Sequence, residues 1–183
     1  MVQYANIISN GSSGGSGYSS LSGAMRVSSV PCYLLPQTIY HPPSSCAPGN
    51  ASPVTFNTNG TVGMPLRIAG GNFSSVASSM KGGSDLIFQK RPDITRVNLR
   101  IMWPGYSDDI PRTIMVDTST TRAKLANEVA KQILIYMERA AKSTRGHGKY
   151  TIGNSGINTE QVSLLSIQNT HDTNWQATLY ISV

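Results

Sequence analysis

Any chemistry in this chain would begin with its three histidines, His41, His147 and His171, because imidazole is the side chain that titrates near neutrality. His147 lies in Arg145-Gly146-His147-Gly148-Lys149, which has the look of a phosphate-binding loop. Such a loop needs the order G-x-x-x-x-G-K-[ST], with its backbone amides opening a helix. Here Tyr150 stands where the hydroxyl ligand belongs, and the glycines follow a helical pattern instead of preceding one. His171-Asp172 pairs an imidazole with a carboxylate that could orient it, and serines are abundant. No G-x-S-x-G elbow accompanies the pair.

Asp108-Asp109 offers two carboxylates to a cation, but adjacent turn carboxylates ordinarily face water. The two cysteines, Cys32 and Cys46, have neither a C-x-x-C spacing nor the partners of a zinc set, and two free thiols are expected. Gly14-Gly15-Ser16-Gly17 neither follows a strand nor opens a helix, so it is no dinucleotide fingerprint. No catalytic, cofactor-binding or metal-binding residue is therefore assigned, and the expectation is a protein that is not an enzyme and carries no cofactor.

Arginine supplies the other candidate. Arg96 and Arg100 fall on one face of a strand with Asn98 between them, and Arg112 opens the next strand, a positive row able to touch phosphates. The formal net charge of +6 is compatible with nucleic acid as a partner. Two features weigh against it. Alternation puts Arg112 on the side of Ile114 and Val116, and no aromatic residues interleave the row as in sheets that stack single strands.

These residues sit on a well-patterned stretch. Thr95, Val97, Leu99 and Ile101 alternate with Arg96, Asn98, Arg100 and Met102, a strand with one buried face. Trp103-Pro104-Gly105-Tyr106 stops it, and a second strand spans about Arg112 to Val116. A long helix follows, with Leu125, Val129, Ile133 and Met137 at every fourth position and Thr118, Ser119 and Thr120 as candidate N-caps. After a glycine-rich loop from Gly146 to Gly156, Val162, Leu164 and Ile167 mark a strand whose alternation is ambiguous at Leu165. Trp175, Ala177, Leu179, Ile181 and Val183 mark a last one.

The first half has another character. Tyr4 to Ile8 is a short apolar piece, and Gly11 to Gly23 is almost all Gly and Ser, a linker by composition. Seven of the ten prolines fall between Pro31 and Pro65, which excludes a long helix there and leaves extended pieces such as Cys32-Tyr33-Leu34-Leu35. Leu66-Arg67-Ile68 and Leu86-Ile87-Phe88 read as further short strands, and Val76 to Met80 as a helical turn. The expected organisation is an extended Pro/Gly/Ser-rich arm over 1–92 and an α+β domain over 93–183. That domain is an antiparallel β-β-α-β-β layer of about four strands and one long helix.

Trp103-Pro104-Gly105-Tyr106, the helix opening Thr121-Arg122-Ala123-Lys124-Leu125-Ala126 and the terminal Trp175-Gln176-Ala177 together resemble a group of uncharacterised proteins of mushroom-forming (basidiomycete) fungi. The resemblance covers roughly the last 90 residues. It implies a fungal origin and brings no catalytic residues with it.

Charged residues make up only 13%, about half the usual share, so the chain keeps itself in solution poorly by charge alone. No secretory pattern is visible at the start, and no apolar run reaches the roughly 18 residues of a membrane span, so a cytoplasmic protein without a membrane partner is expected. The leading expectation is a self-assembling structural protein, a filament or other homo-oligomer. Its arm, through Tyr4, Ile7, Ile8, Tyr33, Leu34 and Leu35, would dock on neighbouring copies. The alternative is a basic nucleic-acid-binding or coat-like protein using Arg96, Arg100 and Arg112.

Overall fold

The computed structural model describes residues 25–27, 30–42, 46–106, 110–143 and 148–182. Its elements in chain order are β1 (Met25–Val27), β2 (Val30–Leu34), β3 (Val54–Thr55), β4 (Met64–Pro65), α1 (Leu66–Ala69), α2 (Phe73–Ser79), β5 (Arg96–Arg100) and β6 (Arg112–Met115). There follow α3 (Arg122–Ala141), a 3-10 turn (Thr159–Gln161), β7 (Val162–His171) and β8 (Asn174–Ser182). The chain is thus of mixed α and β structure, and its strands join in one sheet. Among the described residues no helix is long and apolar enough to cross a membrane.

β8 is the axis of that sheet. β7 pairs with it from Val162↔Ile181 to His171↔Asn174 and so occupies one whole edge. The other edge is shared. β5 takes its first half, through Leu99↔Trp175, and β2 takes its end, through Cys32↔Ser182. β6 then extends β5, β1 extends β2, and β3 and β4 line the far side of β7.

The sheet is not purely antiparallel, as the pattern had suggested, because β5 and β8 run parallel. The cause lies in the helix. α3 has 20 residues, about 30 Å, and carries the chain back along the sheet after β6. β7 must then run against β5, and the following hairpin returns β8 alongside β5 in the same direction.

Local sequence explains the elements that hold this frame. Val97, Leu99, Ile114 and Val116 are buried while Thr113 and Met115 are exposed, as alternation requires. The ambiguity at Leu165 is a β-bulge: the pairing shifts register between Leu164 and Ser166, so that both Leu164 and Ile167 reach the core. In α3, Leu125, Val129, Ile133 and Met137 are buried together with Ala126, Ala130, Tyr136 and Ala140, an apolar stripe one helix face wide. The N-cap is Thr121, whose hydroxyl accepts from the Lys124 amide at 3.2 Å, and not one of the three hydroxyl residues before it. Ser119 and Thr120 serve Asp117 instead. Its carboxylate accepts from the Ser119 amide at 2.9 Å, the Ser119 hydroxyl at 2.7 Å and the Thr120 hydroxyl at 3.0 Å, which closes the turn into the helix.

Residues 31–92 are not an arm lying apart from the rest. Leu35, Phe56, Met64, Leu66, Val76, Met80 and Phe88 belong to the same core as the sheet and α3, so packing does not break at 92/93. The prolines restrict these pieces to two-residue strands and single turns, yet each places one or two apolar side chains inside. Leu66-Arg67-Ile68 is the helical turn α1 and not a strand, with Pro65 immediately before it, where a missing N–H costs nothing. Leu86 makes only an isolated bridge, to Thr121, and the expected turn at Val76 to Met80 is the end of α2. Asn127, 3% exposed on α3, donates to the carbonyls of Ala69 (2.7 Å) and Gly71 (3.0 Å) and pins the end of α1 to the long helix.

Candidate functional site

The arginine row divides between the two faces of the sheet. Arg112 is on the helix side, its guanidinium 5.2 Å from the centre of the Tyr136 ring. Arg96 is exposed on the opposite face, and Arg100 shares that face. Asn98 between them donates to the Thr173 hydroxyl (2.9 Å) and accepts from the Thr113 hydroxyl (2.9 Å). The structure therefore brings Arg96 and Arg100 to one face and takes Arg112 away, as strand parity dictates.

What alternation does not disclose is the cover on that outer face. The chain leaves β2 along the β8 edge, where the Leu35 amide donates to Leu179 O at 2.9 Å and the Gln37 side chain donates to Ala177 O at 2.8 Å. It then crosses the face as a strap. The Gln176 side chain donates to Thr38 O at 2.8 Å and accepts from the Tyr40 amide at 3.0 Å, one side-chain amide imitating a neighbouring strand. This sets Tyr40 under Arg100, whose guanidinium is 4.1 Å from the ring centre and whose Nε donates to Asn174 Oδ1 at 3.0 Å. His41 meets His171 edge to face, with 5.6 Å between ring centres.

The result is a cluster of Tyr40, His41, Arg100, His171, Asn174 and Gln176, rich in donors and stacked on aromatic rings. His171 Nδ1 is buried there without a hydrogen-bond partner among the described residues. Sequence reasoning named His41 without placing it beside His171 and did not single out Tyr40, because both lie in a proline-rich stretch with no periodicity. The single clue was Gln176, a polar residue on a strand whose burial alternation alone does not reveal.

The remaining candidates are scattered. Asp172 is exposed and takes the left-handed position of the β7–β8 turn (φ 44°), where its amide donates to Ala47 O at 3.1 Å. Cys32 is buried and Cys46 half-buried, and neither is joined in a disulfide. His147 and Asp108-Asp109 lie outside the described residues. No cluster of three or more His, Cys, Asp or Glu suited to a metal ion is found among the described residues. A cleft of about 330 Å³ opens between Thr55, Asn57, Lys81, Gly82, Asp85 and Arg122. Inside it Arg122 donates to Thr55 O (2.8 Å) and to the Asp85 carboxylate (3.2 Å), contacts that tie the start of α3 to β3.

Of the arm residues, Tyr33 and Leu34 are in β2, paired with β8 of the same chain, and Leu35 is in the core. Lys149 Nζ stands 5.1 Å from the centre of the Tyr33 ring. All three are thus held within the chain by its own sheet. Tyr4, Ile7 and Ile8 lie outside the described residues.

β6 is an outermost strand of the sheet. Among the described residues β6 pairs only with β5. The Val116 amide donates to Thr95 O at 3.0 Å, and hydrogen-bonded pairs recur at every second residue of an antiparallel ladder. Thr113 and Met115 therefore turn their backbone N–H and C=O away from β5. Met115 is 69% exposed and Ile110, just before the strand, 74%. No protein-family model, curated protein or solved structure matches this chain.

Proposed function

We propose that the protein is a non-enzymatic, self-assembling structural protein whose copies join at the open edge of β6. One observation carries this reading: a strand edge that is unpaired among the described residues and whose exposed side chains, Thr113 and Met115, bear no charge. Edges of this kind template pairing with another chain, and they are ordinarily blunted by lysine, proline or a covering element. The test is sedimentation velocity and electron microscopy over a concentration series, comparing the native chain with Met115→Lys. Native chains are expected to form oligomers or filaments. The lysine variant should remain monomeric with an unchanged circular dichroism spectrum. A native chain that is monomeric throughout, or a variant that assembles equally well, refutes the proposal.

A second reading, nucleic-acid binding, draws on the outer face, where Arg96 and Arg100 stand together with Tyr40. It predicts binding to single-stranded oligonucleotide that falls steeply with salt and weakens in Arg96→Gln. Binding insensitive to salt would dismiss it.

A further inference from the structure

The β6 edge needs a partner strand, and the chain ahead of β1 contains one of suitable composition. Tyr4-Ala5-Asn6-Ile7-Ile8 is a short apolar piece with a tyrosine and two isoleucines, residues that favour strands, and the sixteen residues from Ser9 to Ala24, mostly Gly and Ser, join it to Met25. We propose that Tyr4–Ile8 is the strand that pairs with the β6 edge, and that copies join by exchanging it, each placing its own segment on the edge of the next. This rests on the assembly reading above and names its partner segment.

The sheet register sets the distance involved. Because β7 fills one edge of β8, β2 and β5 both leave the other edge, and β1 and β6 are the outermost strands on that same flank. Met25 is level, through Cys32, with Ser182, and Arg112 is level, through Leu99, with Trp175. Those levels are seven residue steps apart along β8, about 23 Å at about 3.3 Å per residue. A Gly/Ser chain of sixteen residues spans about 20–24 Å on average. The segment is thus of the right length to reach the edge of its own chain, and the same contacts form when it reaches a neighbour.

Pairing within and between copies then differs only by effective concentration, about millimolar for a short Gly/Ser connection. This is the condition for strand exchange, and it makes the connection length the control of assembly. Removing residues 11–22 leaves four connecting residues, which extend at most about 14 Å and cannot reach their own edge.

The experiment compares the native chain, the 11–22 deletion and the double substitution Ile7→Asp/Ile8→Asp, each by sedimentation velocity over a concentration series. Circular dichroism and thermal melts confirm that each is folded. The deletion is expected to lower the concentration of half-assembly at least tenfold, and the double substitution to abolish assembly. A cross-link sharpens the result. Chains carrying Ile7→Cys only are mixed with chains carrying Met115→Cys only, with each alone as the control for Cys46, and oxidation should give a mixed dimer. Assembly unaffected by both the deletion and the double substitution overturns the exchange while leaving the β6 reading to the Met115→Lys test. A native chain that stays monomeric while Ile7→Cys and Met115→Cys cross-link within one chain overturns exchange and assembly together.

Discussion

The two faces of β8 are covered by opposite means, one completely and the other in part. Toward the helix, Trp175, Ala177, Leu179 and Ile181 are each at most 2% exposed and meet an apolar stripe. On the other side Gln176 and Tyr180 are 4% and 5% exposed, and the cover over Gln176 is a strap of backbone held by its side-chain amide. Apolar burial is non-directional and scales with area, so many residues of similar size would serve on the first face. Hydrogen bonds are directional, and a buried group left without its partner carries the full cost of its lost hydration. The first face therefore stabilises the fold, while the second specifies where residues 37–41 lie, and with them Tyr40 and His41.

The largest effect is expected on the apolar face. Trp175→Ala removes the largest side chain of β8 and a contact with Phe88 across 6.0 Å, and should cost about 3–5 kcal/mol in urea unfolding. Less costly, but more local, is Gln176→Leu, which keeps the volume and leaves Thr38 O and the Tyr40 N–H unpaired. About 1–3 kcal/mol is expected, with faster amide exchange confined to the strap. If the loss is as diffuse as for Trp175→Ala, the contrast between the faces fails. Thr121→Ala, which removes the cap of the covering helix, should cost about 1 kcal/mol by the same measurement.

A smaller contribution depends on pH. Hydrogen bonds from Ser119, and then from Thr120, hold the Asp117 carboxyl below its ordinary value of 3.8. A carboxyl whose pKa is lower in the folded than in the unfolded chain adds stability above the unfolded value and loses it as pH falls through the folded one. Stability should therefore fall as pH drops below 3.8, and Asp117→Asn should reduce that part of the dependence; an identical acid profile for the variant would show that the turn contributes nothing. Smallest of all, Met115→Lys should leave monomer stability within about 0.5 kcal/mol, because its side chain is 69% exposed, while changing assembly.

Much of the frame was legible residue by residue. Periods of two and of about four placed β5, β6, α3, β7 and β8, and parity placed Arg112 opposite Arg96 and Arg100. Such patterns report burial of a whole face and therefore leave a trace in composition. The short pieces between 31 and 92 leave almost none. Phe56 or Phe88 is buried because a surface elsewhere in the chain needs covering, and a lone apolar residue among Pro, Gly and Ser has no period to show it.

The sequence by itself determined a mixed α and β chain with one long amphipathic helix, which face of each regular strand is apolar, and a shortage of charge. Only the tertiary structure decided that β5 and β8 run parallel, that 31–92 joins the core, and that Tyr40 and His41 lie against Arg100 and His171. It also decided that β6 pairs only with β5 among the described residues. The reason is that local pattern encodes the period of a segment, whereas strand order, direction and side-chain clusters depend on which distant segments bury and hydrogen-bond one another.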